Sequence, residues 1–181
     1  STWVPLTLYT GTSDGRVVVD IDDSGAHLGD MEIPLAELSV DTIKALNAKL
    51  PSTWSHSNPI DIQGDATPTH YLDALYAVAK DDGVDGILIM LAPQAMTQPM
   101  AVAQVVIDVC AQTSKPMLAC WMGEEQVAAG RTALEQAGIP AFRQPETAVE
   151  LYYHISTYYR NQMLLLQTPE GSSKRTQKET E

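Results

Sequence analysis

From residue 58 onward, apolar stretches alternate regularly with helix-like segments, and this alternation limits the folds that the chain can adopt. The segment 86–91 (Gly-Ile-Leu-Ile-Met-Leu) is almost continuously apolar, which is typical of a central parallel strand covered on both faces. A second apolar run follows at 117–121. Amphipathic segments and short polar breaks separate these runs, which is the pattern of βαβ units. The sequence therefore predicts an α/β domain with a mostly parallel sheet.

The remaining elements are predicted from the same periodicities and from helix-capping residues. The predicted strands are 6–9, 60–62, 84–91, 117–121 and 139–142, and the predicted helices are 41–50, 68–79, 99–111, 124–137 and 145–165. Ser39 or Asp41 is expected to cap the first helix, Thr67 the second, and Gly138 ends the fourth. The segment 13–19 fits either a hairpin turn entering a strand or a glycine-containing loop entering a helix.

Length and charge limit the classes of function. The chain has 181 residues, which suits one core, and we expect a single domain at 1–168 followed by a disordered polar tail at 169–181. A net charge of −12 argues against binding to nucleic acid, whose phosphates require clusters of lysine and arginine. No apolar run reaches the roughly 18 residues of a membrane span, so no membrane partner is expected.

The cysteines and the first residues bear on location. Cys110 and Cys120 are two cysteines without a paired framework, which suits a reducing compartment, and Cys120 in an apolar run is expected to be a core residue. The start of the chain, Ser1–Pro5, lacks the basic and apolar regions of a secretory signal. The expected location is the cytoplasm.

No common catalytic motif or metal-ligand spacing is present, so no catalytic residue and no metal site is predicted. Ligands of parallel sheets bind beyond the carboxyl ends of the strands, here at 10–15, 63–67, 92–97 and 121–125. Small and hydroxyl residues in the first two loops would let backbone N–H groups approach an anion. The candidate binding residues are Thr10, Gly11, Thr12, Ser13 and Gly15 in the first loop, and Gly64, Asp65, Thr67, Gln94, Thr97 and Gly123 in the others.

Several short motifs carry a family resemblance. They are 58–67 (Asn-Pro-Ile-Asp-Ile-Gln-Gly-Asp-Ala-Thr), 93–97 (Pro-Gln-Ala-Met-Thr), 121–124 (Trp-Met-Gly-Glu), 137–140 (Ala-Gly-Ile-Pro) and 159–162 (Tyr-Arg-Asn-Gln). In order and spacing they resemble the third domain of the long subunit in ADP-forming acyl-CoA synthetases. That family includes ADP-forming acetate–CoA ligases and is related to succinyl-CoA synthetase. The same module occurs in protein lysine acetyltransferases fused to a GNAT domain. The resemblance covers about 38–169.

The resemblance implies a flavodoxin-like, three-layer α/β/α fold and a protein that does not act alone. The parent would convert acyl-CoA, ADP and phosphate to acid, CoA and ATP through a phosphohistidine in another domain. This domain alone would bind no cofactor. CoA and ATP or ADP with Mg would bind to the parent, and the implied partners are CoA-binding, phosphohistidine and ATP-grasp domains. A homodimer is left open.

The resemblance also places the first loop near the phosphohistidine. The family has a glycine-rich turn there, whereas this chain has 10–15 (Thr-Gly-Thr-Ser-Asp-Gly). Asp14 would repel phosphate and therefore disfavours that contact. Two alternatives therefore remain: a regulatory module of a protein lysine acetyltransferase, and a stand-alone binding module.

Overall fold

The computed structural model describes residues 4–8, 20–22, 25–28 and 31–166. The strands are β1 (Val4–Leu8), β2 (Asp20–Asp22), β3 (Gly25–Leu28), β4 (Met31–Pro34), β5 (Ile87–Leu91), β6 (Met117–Trp121) and β7 (Ala141–Phe142). The helices are α1 (Val40–Lys49), α2 (Pro68–Ala79), α3 (Pro99–Cys110), α4 (Glu125–Gln136) and α5 (Pro145–Leu166). Strands and helices alternate from β5 onward, as the sequence predicts.

The main sheet has four strands in the order β1-β5-β6-β7, and each neighbouring pair is parallel. A separate antiparallel sheet has the order β2-β3-β4. All five residues of β5 and all five of β6 are buried, as expected for central strands. The predicted α/β fold with a mostly parallel sheet is confirmed.

Alternate side chains of β5 and β6 face two different apolar clusters. Ile87, Ile89 and Leu91 pack in a large cluster with residues of α1, α2, α3 and α4. Leu88 and Met90 pack in a second cluster with buried residues of α5. The sheet therefore lies between two helical layers, which is the predicted α/β/α arrangement.

The predicted helix ends are formed by the expected side chains. Ser39 Oγ accepts a hydrogen bond from the N–H of Thr42 at 3.2 Å, which makes Ser39 rather than Asp41 the cap of α1. Thr67 caps α2. Gly138 follows α4 with φ of 80°, a left-handed conformation that glycine adopts without steric cost.

A buried carboxylate joins the start of α1 to the turn after α2. Asp81 is only 5 % exposed, and its two oxygens accept hydrogen bonds from the N–H groups of Ser39 at 2.9 Å and Gly83 at 3.0 Å. Burial by itself raises the pKa of the Asp81 carboxyl, but the hydrogen bonds it accepts outweigh that effect and hold the pKa below its ordinary value. Asp81 is therefore a charged structural bridge between two segments.

The predicted strand at 60–62 is wrong, because these residues have no strand pairing. The side chain of Ser55 forms hydrogen bonds with the local backbone groups instead. Its hydroxyl donates to the carbonyl of Pro59 at 2.7 Å and accepts from the N–H of Asp61 at 2.9 Å. Ile60 and Ile62 are nevertheless fully buried, so their apolar character reports core packing rather than a sheet.

Other boundaries also differ from the predictions. The strand predicted at 84–91 begins only at 87, and the one at 139–142 shortens to two residues. The segments 13–19 and 169–181 lie outside the described residues, so the hairpin-or-helix alternative and the disordered tail remain predictions. Within the described part of the chain, no helix combines the length and apolar character that a membrane span requires.

Candidate functional site

The four parallel strands place their carboxyl ends, at Leu8, Leu91, Trp121 and Phe142, along one edge of the sheet. This edge is where ligands of open parallel sheets bind. The loop after β1 should contribute to it, but its five predicted residues lie outside the described part of the chain: Thr10, Gly11, Thr12, Ser13 and Gly15. Their proximity to a phosphate therefore stays a prediction.

Two of the predicted loops are in direct contact. A Cβ atom added to Gly64 would lie 2.6 Å from Gln94 Oε1, so the Gln94 side chain lies against the backbone of Gly64. The loop of Gln94 is closed by Thr97, whose Oγ1 accepts from the N–H of Gln94 at 2.8 Å. The Thr97 N–H donates in turn to the Gln94 carbonyl at 3.0 Å. The structure thus brings Gly64, Gln94 and Thr97 together.

Thr67 stabilises the start of α2. Its Oγ1 accepts from the N–H of His70 at 3.4 Å, and its own N–H donates to His70 Nδ1 at 3.3 Å. This pair requires the His70 proton to be on Nε2. Pro68 has no N–H, and Asp65 in the preceding turn is exposed. These features leave α2 few backbone donors for an anion and place a carboxylate nearby, so they disfavour phosphate binding at this helix end.

Gly123 occupies the sharp turn between β6 and α4. Its φ of 116° is a conformation that residues with a side chain rarely adopt. A Cβ on Gly123 would lie 3.5 Å from Pro93 Cγ, so this turn borders the loop that contains Gln94. The loops that follow β5 and β6 therefore form one continuous surface, as the topology predicts.

Arg131 fixes this turn and was not predicted as a functional residue. It is only 6 % exposed, and its Nη1 donates to the carbonyls of Trp121 at 3.1 Å and Gly123 at 2.7 Å. The sequence does contain a signal, because Arg131 falls on the buried face of α4 that also carries Val127 and Leu134. A basic residue in such an apolar row indicates a buried hydrogen-bonding role.

An open cleft of about 580 Å³ lies beside Gly123. Its lining residues are Gly123, Glu124, Ala141, Phe142, Arg143, Gln144 and Thr147. Arg143 Nη1 and Glu124 Oε2 lie 3.4 Å apart, but both side chains are largely exposed, so this ion pair contributes little stability. Gly123 and Glu124 belong to the predicted loop 121–125, but the other lining residues were not predicted as a site, since they come from a separate segment that shares no motif with this loop.

The described residues offer little reactive chemistry. Burial, with a smaller effect of the Glu146 carboxylate, raises the pKa of the Cys120 thiol to about 12. Because a thiolate is the reactive form, Cys120 is a core residue and not a nucleophile at neutral pH, as predicted. In the part of the chain that the structure describes, no three His, Cys, Asp or Glu side chains are arranged to hold a metal ion.

Known proteins resemble this chain. Residues 8–160 match the model of the Ligase-CoA domain. The acetate–CoA ligase [ADP-forming] I of Archaeoglobus fulgidus is 32 % identical over 126 residues, which are 70 % of this chain and 18 % of that protein. The acetate–CoA ligase [ADP-forming] of Methanocaldococcus jannaschii is 36 % identical over 133 residues, 71 % of this chain and 19 % of that protein.

A solved structure is also similar. It is the dinucleotide forming acetyl-coenzyme A synthetase 1 of Ca. Korarchaeum cryptofilum, in complex with phosphate and ADP. The TM-score is 0.69 at 26 % identity, over 76 % of this chain and 31 % of that chain. The chain thus spans about a fifth of the length of the two curated ligases and under a third of the solved one. With most of its length matched by one family model, the chain belongs to the Ligase-CoA domain family, as one domain of a larger protein or subunit.

Proposed function

We propose that this chain is a domain of an ADP-forming acyl-CoA synthetase-like protein and completes no reaction by itself. The parent converts acyl-CoA, ADP and phosphate to acid, CoA and ATP, with a phosphohistidine in another domain as the carrier. One observation carries this proposal: the Ligase-CoA match covers 8–160, yet the chain spans only a fraction of its ligase relatives. The parent acts in the cytoplasm.

The geometry supports a positioning role for the domain. The strand-end loops are held by their own contacts, with Thr97 closing the loop of Gln94 and Arg131 bound to the turn at Gly123. These hydrogen bonds hold the two loops in place without a partner, which suits a surface that positions a neighbouring domain. The partners are the CoA-binding, phosphohistidine and ATP-grasp domains of the parent.

The described residues supply positioning rather than cofactor binding. CoA and ATP or ADP with Mg bind to other parts of the parent. The cleft beside Gly123 carries one cationic side chain, Arg143, and Glu124 lies next to it. A polyanionic cofactor needs several cationic or N–H donors around its phosphates. Because this cleft has one cation beside one carboxylate, its charge disfavours cofactor binding by this domain alone.

The test is ATP formation from acetyl-CoA, ADP, phosphate and Mg, measured with luciferase. We expect no ATP above the buffer control with the 181-residue chain and clear formation with the full-length protein that its gene encodes. ATP formation by the chain alone would contradict the domain role. A full-length protein that forms no ATP but acetylates lysine peptides would instead support the acetyltransferase alternative.

Calorimetry tests the alternative of a stand-alone binding module. The isolated chain is titrated separately with CoA, ADP and phosphate, and we expect no heat of binding from any of them. Saturable binding of one of these ligands to the isolated chain would favour a stand-alone binding module over a positioning domain.

A further inference from the structure

The loop that follows α1 folds back on the carboxyl end of that helix. Trp54 in this loop is buried, and its Nε1 donates to Asn47 Oδ1 on α1 at 3.0 Å. The ring of His56 lies beside the Trp54 ring, with 4.8 Å between the two centroids. The Nδ1 atom of His56 lies 2.8 Å from Asn47 Oδ1, and its Nε2 atom lies 3.0 Å from the Ser52 carbonyl oxygen. The ring of His56 therefore joins the loop both to itself and to α1.

The indole of Trp54 fixes which end of the Asn47 amide faces the His56 ring. An indole N–H can only donate, so the Asn47 atom that lies 3.0 Å from it is the oxygen. The opposite orientation would set the amide NH₂ group against the indole N–H, donor against donor. The Ser52 carbonyl oxygen is also an acceptor that cannot donate. Both ring nitrogens of His56 thus face oxygens that can only accept.

Only the doubly protonated ring satisfies both oxygens. A neutral imidazole has one N–H and one lone pair, so one of its nitrogens would set a lone pair against an oxygen. The imidazolium donates at both positions. His70 has the opposite arrangement, because its Nδ1 accepts from the N–H of Thr67 at 3.3 Å and so carries no proton. The preference for a second proton therefore comes from the partners of His56 and is not general to the histidines of this chain.

The surroundings of His56 suit a cation held in one position. Asn47 lies in the last turn of α1, where the helix dipole favours positive charge. The backbone of His56 has a φ of 58°, a left-handed conformation that is costly for a residue with a side chain and persists only where the contacts around it hold it. The two hydrogen bonds of the ring are such contacts.

The charged groups of the surrounding segments leave these hydrogen bonds as the deciding factor. Those on α1 and on the segment 50–61, besides His56 itself, are Asp41, Lys44, Lys49 and Asp61. Lys44 pairs with Asp41 at 3.2 Å, and Lys49 is exposed to solvent, where salt screens its charge. Asp61 Oδ1 accepts from the N–H of Gln63 at 2.8 Å. In the part of the chain that the structure describes, none of them forms an ion pair with His56.

We propose that protonation of His56 controls whether the loop 51–57 stays attached to the end of α1. The doubly protonated ring forms both hydrogen bonds, whereas the neutral ring loses one of them. The contribution of His56 to the stability is therefore present below the range in which histidine ordinarily titrates, around pH 6.5, and is lost as the pH rises above it. This proposal does not depend on the reaction of the parent protein, because it uses only contacts within the described chain.

Urea unfolding of the 181-residue chain at about pH 5.5 and at about pH 8 tests the proposal. The variant His56→Asn removes the ring and keeps a residue that adopts the left-handed backbone at little cost. The wild type should have the larger folding equilibrium constant. We expect the ratio of the two constants to be about fivefold larger at the lower pH than at the higher one, because one charge-assisted hydrogen bond open to water is lost.

The same comparison in the background of Asn47→Ala is the matched control. Without Asn47, a neutral ring can give its one N–H to the Ser52 carbonyl, so a second proton brings no further hydrogen bond within the chain. We expect the ratio with and without His56→Asn to change less than about twofold between the two pH values in this background. The bond from Trp54 is absent from both members of this comparison, so its loss cancels.

Nitrogen NMR of the His56 ring provides a second readout that does not depend on unfolding. We expect two ring N–H signals in the wild type at about pH 6.5, both exchanging slowly with water, and at most one in Asn47→Ala. The proposal is overturned if the ratio of folding constants is the same at both pH values or larger at the higher one, if Asn47→Ala leaves its pH dependence unchanged, or if the wild-type ring shows a single N–H signal.

Discussion

Replacement of Asp81 by asparagine tests whether the buried carboxylate bridges α1 and the turn after α2. In the wild type, Asp81 accepts from the N–H groups of Ser39 and Gly83 at 2.9 and 3.0 Å. Hydrogen bonds to a charged acceptor contribute about 1.5–3 kcal/mol each. Asparagine keeps one acceptor oxygen and turns an NH₂ donor toward the other N–H, so we expect Asp81→Asn to lower the free energy of unfolding by about 2–3 kcal/mol.

The assay is thermal and urea unfolding followed by circular dichroism. A loss of 2–3 kcal/mol corresponds to a fall in Tm of about 5–10 °C in a domain of this size. The matched control is Asp82→Asn, which removes the same charge from the exposed neighbouring residue. We expect that control to stay within about 0.5 kcal/mol of the wild type.

The contribution of Asp81 to the free energy of unfolding depends on pH with a defined sign. Because the pKa of Asp81 is lowered in the folded state, its contribution is present above the ordinary value of 3.8 and is lost as the pH falls through the folded pKa. The difference in stability between wild type and Asp81→Asn should therefore narrow below about pH 4. Equal effects of Asp81→Asn and Asp82→Asn, or a difference that does not narrow in acid, would refute the bridging role.

Two further predictions concern the sheet edge and the core. Arg131→Met removes the donor to the carbonyls of the turn at Gly123, so it should lower the free energy of unfolding in urea by about 2–3 kcal/mol. The surface variant Arg143→Met should lower it by less than about 0.5 kcal/mol. Similar losses in the two variants would contradict the role of Arg131. Burial raises the pKa of both thiols, but Cys110 is partly exposed whereas Cys120 is buried with its pKa raised to about 12. A thiol reagent at pH 8 should therefore label Cys110 in the native chain and reach Cys120 only after unfolding. Labelling of both thiols before unfolding would contradict the burial of Cys120.

The parts of the fold that the sequence predicts are those where local chemistry and tertiary packing agree. β5 and β6 are continuous apolar runs buried on both faces, which is typical of central parallel strands. Thr67 and, as one of two alternatives with Asp41, Ser39 are predicted as caps, because a side-chain oxygen at that position satisfies backbone N–H groups that the helix leaves open. These features need no knowledge of distant contacts.

The parts that the sequence does not predict depend on contacts between distant segments. The pattern of Ile60–Ile62 resembles a strand, but Ser55 binds the neighbouring backbone groups, so the apolar side chains enter the core without a sheet partner. The antiparallel strands at 20–34 are short and carry no clear alternation, so periodicity alone did not reveal them. The cleft beside Gly123 likewise depends on a distant contact, because the pairing of β6 with β7 brings residues 123–124 next to residues 141–147.

The relative positions of the predicted loops follow only in part from the topology. Strand order places the loops of Gln94 and Gly123 along one edge of the sheet, whereas Gly64 follows no strand and reaches this edge through its contact with Gln94. Ligand binding by these residues stays a prediction. The hydrogen bond of Arg131 to the turn at Gly123 was not predicted, because it depends on which face of α4 is buried. A basic residue on an apolar helical row was its only sign in the sequence.

We propose that this chain is one domain of a larger synthetase whose phosphoryl carrier lies in another domain. The decisive experiment is peptide mapping of the full-length protein after incubation with ATP and Mg, under conditions that preserve phosphohistidine. We expect phosphate on a histidine outside residues 1–181. Phosphate on one of the four histidines of this chain, His27, His56, His70 or His154, would contradict it.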